Sequence, residues 1–91
     1  VKHAGPAALD ALEPLLARVR ALPGLKEKAR GTFYRSSRAF LHFHEDAAGL
    51  FADVRLQGVD FTRMRVSTRA EQDELLRFIN SAHPGESRDP S

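Results

Sequence analysis

The chain has 91 residues, with 14 Lys or Arg against 12 Asp or Glu, a formal net charge of +2. The isoelectric point of about 9.5 overstates that surplus: with no Cys, one Tyr and three Lys, almost nothing titrates between about pH 7 and pH 10. The length gives one domain, the 42% hydrophobic and 29% charged content excludes a disordered chain, and the missing Cys excludes disulfides, thiolate chemistry and Cys-based zinc sites.

Residues 1–6 read as a loose lead-in, with no charged-then-apolar signal pattern between Val1 and Leu9. Leu9, Leu12, Leu16 and Val19 recur at helical spacing, widened by Leu15 and Leu22, and predict a helix between Ala7 and Leu22 that ends at Pro23-Gly24. Pro14 breaks a helix interior, so the regular part is expected to start between Ala11 and Glu13, with Asp10 and Glu13 as a capping pair. Residues 25–31 read as a charged loop.

Four strands are predicted next: Thr32 to Arg35, Ala39 to His44, Leu50 to Leu56, and Phe61 to Val66. Short connections make them an antiparallel meander. A second helix follows from Arg69 to Ala82, with Thr68 and Glu71 as a capping box, Leu75, Leu76 and Ile79 on its buried stripe, and Asp73 placed to pair with Arg77. Residues 83–91 carry Pro84, Gly85 and Pro90 and no aliphatic side chain, and are expected to be a disordered tail. The expected fold is therefore α+β, a helix, a four-stranded antiparallel sheet and a helix in one domain of residues 1–82, with both helices on one sheet face.

Alternation along the strands assigns the two faces. A four-residue loop, Glu45 to Ala48, sets Phe43 beside Leu50 and keeps one face apolar, which a five-residue loop would not. Ala39, Leu41, Phe43, Leu50, Ala52, Val54, Leu56, Thr62, Met64 and Val66 then point inward. Phe40, His42, His44, Phe51, Asp53, Arg55, Phe61, Arg63 and Arg65 point outward. Three phenylalanines are too apolar for a sheet face that meets only water. That face is the expected binding surface.

His42 and His44, two apart on a strand, point the same way, and Asp53 on the neighbouring strand is the natural third ligand. Glu45 is assigned to the turn. Two histidines without a further independent ligand read as ordinary strand residues, so no metal and no cofactor is expected, with His42, His44 and Asp53 as the residues that would hold one. An ion pair between His42 and Asp53 would raise the imidazole pKa. Ser36, Ser37 and Ser67 sit at turns outside any nucleophile context, and the isolated glycines form no phosphate loop, so no catalytic residue is assigned.

Residues 18–38 hold seven bases and one acid. Lys26, Lys28, Arg30, Arg35 and Arg38, with the outer-face Arg and Phe side chains, would suit a nucleic acid. The uneven, two-signed charge suits a protein partner or a second copy of the chain better. The leading expectation is therefore a non-catalytic interaction module in the cytoplasm, away from membranes since no apolar run approaches the ~18 residues of a span. Nucleic-acid binding is the alternative.

Two stretches carry a family resemblance. One is Arg38-Ala39-Phe40-Leu41-His42-Phe43-His44 followed by Gly49-Leu50-Phe51-Ala52-Asp53-Val54. The other is Arg65-Val66-Ser67-Thr68-Arg69-Ala70-Glu71-Gln72-Asp73-Glu74-Leu75-Leu76. With Leu22-Pro23-Gly24-Leu25 they resemble the small bacterial "luciferase domain" family, a resemblance that implies a compact α+β unit, no light-emitting chemistry and no catalytic residue. Arg30-Gly31, Phe33 and Gly49-Leu50 are more distantly similar to MmcQ/YjbR-like proteins, which would imply DNA binding.

Overall fold

The computed structural model describes residues 2–81. The elements are β1 (Lys2–His3), α1 (Pro6–Arg20), β2 (Leu25–Ala29), β3 (Thr32–Arg35), β4 (Arg38–Asp46), β5 (Gly49–Val54), β6 (Thr62–Arg65) and α2 (Arg69–Ser81). The fold is α+β, but the antiparallel sheet has six strands, not the four expected: β2-β3-β4-β5-β6 in order, with β1 on β4. The expected tail at 83–91 lies outside the described residues.

Both added strands were hidden by their composition. The segment read as a charged loop is β2, whose Lys26 and Glu27 pair with Tyr34 and Phe33 of β3. It is an edge strand, where charged side chains protect unpaired backbone groups from further pairing. The lead-in contains β1, only two residues long, with Lys2 opposite Glu45 and His3 opposite His44. Two residues carry no periodicity to read.

Helix α1 starts at Pro6, earlier than expected, and runs through Pro14 without a break. Pro is well suited to the first helical position. Gly5 caps the helix without a side chain, and no acidic residue lies in the first turn. Glu45 supplies the missing charge from β4, where its Oε2 accepts the Gly5 N–H at 2.6 Å. Glu45 is thus a strand residue, not part of a turn. Pro14 lies on the exposed side. Leu12, Leu15, Leu16 and Val19 are all 0% exposed. Burying each contributes about 1.5–3 kcal/mol, which together exceeds the ~3 kcal/mol cost of an interior proline.

One core joins these residues to Phe33, Leu41, Phe43, Ala52, Val54 and Val66 of the sheet side and to Leu75, Leu76 and Ile79 of α2. The expected capping box starts α2: Glu71 N–H donates to Thr68 Oγ1 at 3.1 Å and Thr68 N–H to Glu71 Oε1 at 3.0 Å. Asp73 pairs with Arg18 and Arg69, and Arg77 with Glu74, so the expected Asp73–Arg77 pair is replaced by a bridge between the helices. Neither helix is long and apolar enough to cross a membrane.

The β4–β5 hairpin is tighter than expected. Phe43 faces Ala52, not Leu50, and Asp46 faces Gly49, which leaves only Ala47-Ala48 in the turn. Asp46 Oδ1 accepts the Ala48 N–H at 2.8 Å, and Asp at the first turn position with Gly at the fourth is a type I preference. The shift is two residues, so the face assignment survives it.

The ion pairs set a pH response. Arg20 bonds both Glu13 and Glu27, and Arg30 bonds Glu13 and Asp10. The Arg20 hydrogen bond, followed by that of Arg30, holds the Glu13 carboxyl below its ordinary value. Arg20 does the same for Glu27, which also accepts the Gly31 N–H. A carboxyl whose pKa is depressed by folding stabilises the fold above its unfolded pKa, and that contribution is lost as pH falls through the folded value. We therefore expect the melting temperature to be flat near neutrality and to fall below about pH 4. Thermal melts by circular dichroism should show Glu27→Gln with a shallower acid fall than the parent; equal falls would remove Glu27 from the account.

Candidate functional site

The outer sheet face is arranged in rows because antiparallel partners lie side by side. One row is His42, Asp53 and Arg63, on β4, β5 and β6. The next is His3, His44, Phe51 and Arg65. The two rows bring three histidines and one carboxylate together.

Asp53 is the centre of the cluster and is only 7% exposed. Arg63 holds it with two bonds, Nε to Oδ1 at 2.7 Å and Nη2 to Oδ2 at 2.8 Å. The Arg63 bonds outweigh burial and hold the Asp53 carboxyl below its ordinary pKa, so the group is anionic at neutral pH. Its Oδ2 also lies 3.5 Å from His42 Nε2 and 3.1 Å from His44 Nε2. One ligating atom from each of His42, His44 and Asp53 falls within 4.8 Å of the others.

The imidazoles are held in different ways. Burial, then the neighbouring His44, pulls the His42 pKa down, and Asp53 does not offset them. This corrects the expectation that an Asp53 pair would raise it. His42 is therefore unprotonated near neutrality. Its ring meets Phe61 edge-on, 4.9 Å between centroids. His44 is buried, and neither Nδ1 nor Nε2 has a hydrogen-bond partner among the described residues, the short approach to Asp53 notwithstanding. A buried polar group in that state costs about 1–3 kcal/mol and calls for a physical reason. His3 stacks on the His44 ring at 4.7 Å and lies 5.7 Å from that of His42.

The remaining expected outer-face residues divide. Phe40 is not on this face. The pairing of β3 with β4 steps from Phe33–Leu41 to Tyr34–Ala39, so Phe40 is an extra residue on β4. Such a bulge breaks alternation, and Phe40 joins the core at 2% exposure. Phe51 and Phe61 are half-buried. Arg55 stacks on Phe61 at 4.7 Å, and Arg65 turns to Glu71 and the Ala48 carbonyl.

The expected basic patch is also divided. Arg30 is bound by Asp10 and Glu13, and Lys28 lies over Tyr34 at 4.7 Å. Arg35 covers Phe40 at 4.3 Å, and Arg38 donates to the Gly58 carbonyl. Lys26 is exposed. His3 is the site residue that sequence reasoning missed; its place depends on a two-residue strand crossing to β4, and no local pattern announces it.

No family model, curated protein or solved structure matches the chain.

Proposed function

We propose that the domain is a non-catalytic binding module whose outer sheet face takes a divalent transition-metal ion through His42, His44 and Asp53. The observation that carries this reading is the buried His44 imidazole, neither of whose nitrogens has a hydrogen-bond partner among the described residues, beside an anionic carboxylate. A metal bond to His44 would use a nitrogen that is otherwise uncompensated.

The spacing supports it. Bonds of ~2.0–2.1 Å in tetrahedral geometry place neighbouring ligand atoms about 3.3 Å apart. The Asp53 Oδ2 approaches of 3.1 and 3.5 Å bracket that edge. Two imidazoles and a carboxylate suit zinc and its neighbours more than magnesium or calcium. Arg63 orients the carboxylate from behind, as outer-shell partners of metal ligands do. His3, whose ring stacks on that of His44, is the further imidazole on this face.

The other expected functions have less beneath them. A partner-binding face built on three phenylalanines loses Phe40, and among the described residues Val59, at 74%, is the large apolar side chain most exposed to solvent. The nucleic-acid reading loses Arg18, Arg20 and Arg30 to intramolecular carboxylates.

Titration calorimetry with zinc near neutral pH tests the proposal. The expected result is one ion per chain, with affinity at least about tenfold lower in His44→Ala and a rise in melting temperature on adding zinc that chelator reverses. No saturable binding, or equal binding by folded His44→Ala and Asp53→Asn, would overturn it.

A further inference from the structure

A second site lies at the other end of β4. A cavity of about 210 Å³ opens between the β3–β4 turn and the loop that follows β5, and Arg35, Arg38, Phe40, Arg55 and Leu56 line it. The described residues include ten arginines. Seven of them are in ion pairs: Arg18, Arg20, Arg30, Arg63, Arg65, Arg69 and Arg77. The three without a carboxylate partner among the described residues are Arg35, Arg38 and Arg55, and all three line this one cavity.

Their guanidinium groups are held in place without being neutralised. Arg55 donates from Nε and Nη2 to the Ala39 carbonyl, at 3.1 and 2.6 Å, and from Nη1 to Val59 at 3.4 Å. Arg38 Nη2 donates to the Gly58 carbonyl at 3.0 Å. Carbonyl oxygens fix the planes but bring no countercharge. Arg35 is placed by its stacking on Phe40. Guanidinium donors fixed in this way suit phosphate oxygens, which they meet in pairs. Ser36, at φ +57, brings a hydroxyl to the same lining. A non-glycine residue in that region stores strain of about 1–3 kcal/mol, a feature that gathers at ligand sites.

The size and the walls narrow the ligand further. The volume is below the ~300–1,000 Å³ of drug-sized pockets, and Ala39, Phe40 and Leu56 give it an apolar side. We propose that this cavity binds a small organic phosphomonoester, the phosphate between Arg35, Arg38 and Arg55 and the organic group against the apolar wall. The site shares no residue with the His42–His44–Asp53 cluster and stands or falls independently of it.

Heteronuclear NMR with phenyl phosphate as the probe, chelator present throughout, tests this. Inorganic phosphate and phenol serve as comparisons. Phenyl phosphate should shift the amides of residues 35–40 and 55–58, saturate below about 10 mM, and bind at least ~5-fold more tightly than either comparison. Arg38→Gln, an exposed change that leaves the core untouched, should weaken it about tenfold, and Arg35→Gln likewise. Added salt should weaken it further. The proposal is overturned if no amide in those segments responds, if inorganic phosphate binds as tightly as phenyl phosphate, or if both glutamine variants bind as the parent does.

Discussion

Phe40→Ser lowers the stability of the domain by about 3–5 kcal/mol and its melting temperature by roughly 15–30 °C. Strict alternation would place Phe40 outside, where a serine would be harmless or helpful. The bulge instead carries the ring into the core at 2% exposure. Removing it opens a cavity in the core cluster it belongs to, introduces a hydroxyl that needs a hydrogen bond, and deprives Arg35 of the face it stacks on. A domain of this size has a total stability of only about 5–10 kcal/mol, so the variant should be largely unfolded at modest denaturant. Phe51→Ser and Phe61→Ser are the comparisons. Both rings are half-buried, and each change should cost about 1–2 kcal/mol. Urea unfolding of the three variants decides the matter. A Phe40→Ser midpoint no lower than that of Phe61→Ser would return Phe40 to the outer face.

Gly49→Ala should cost about 2–4 kcal/mol. Gly49 has φ +137, a conformation that side chains rarely adopt, and an added Cβ would overlap Ser67 Oγ and meet the Arg65 guanidinium at 3.2 Å. Ser67 has little room to retreat. Its Oγ accepts the Leu50 N–H at 2.8 Å, while the Leu50 carbonyl accepts the Val66 N–H at 2.8 Å. Displacing the hydroxyl breaks the link that fastens β5 to the start of α2. Gly58→Ala is the comparison with a positive φ but no contact, since Gly58 has φ +72 and nothing within 4 Å of an added Cβ. It should lose only about 1 kcal/mol. Equal midpoints for the two variants in urea would show that the Ser67 contact has no energetic weight.

Where local chemistry decides the structure, the residues announced it. Thr68 and Glu71 start α2 because their side chains satisfy each other's backbone donors. His42, His44 and Asp53 share a face because strand geometry has period two, and even a hairpin displaced by two residues keeps that parity. Where the deciding contact is distant or compensated, the residues misled. Pro14 forbids a helix locally, but four fully buried side chains outweigh it. Lys26-Glu27-Lys28 lacks apolar alternation because one side of an edge strand faces solvent and the other offers Glu27 to Arg20. The run Ala39-Phe40-Leu41 did carry a sign of the bulge, three apolar residues in succession where a half-exposed strand would alternate. The cluster's third histidine had no such sign.

The placement of β1 has a kinetic consequence. Strands β2 to β6 each pair with a neighbour in sequence, so most of the sheet closes through short loops at low entropic cost and can assemble early. The pairing of Lys2 with Glu45 crosses over α1, β2 and β3 and must wait until β4 exists. Docking of this two-residue strand is therefore expected to be a late step of folding, and its release an early local opening. His3 travels with it. Such an opening would uncover the His44 ring on which His3 stacks, while His42, Asp53 and Arg63 stay in register on β4, β5 and β6.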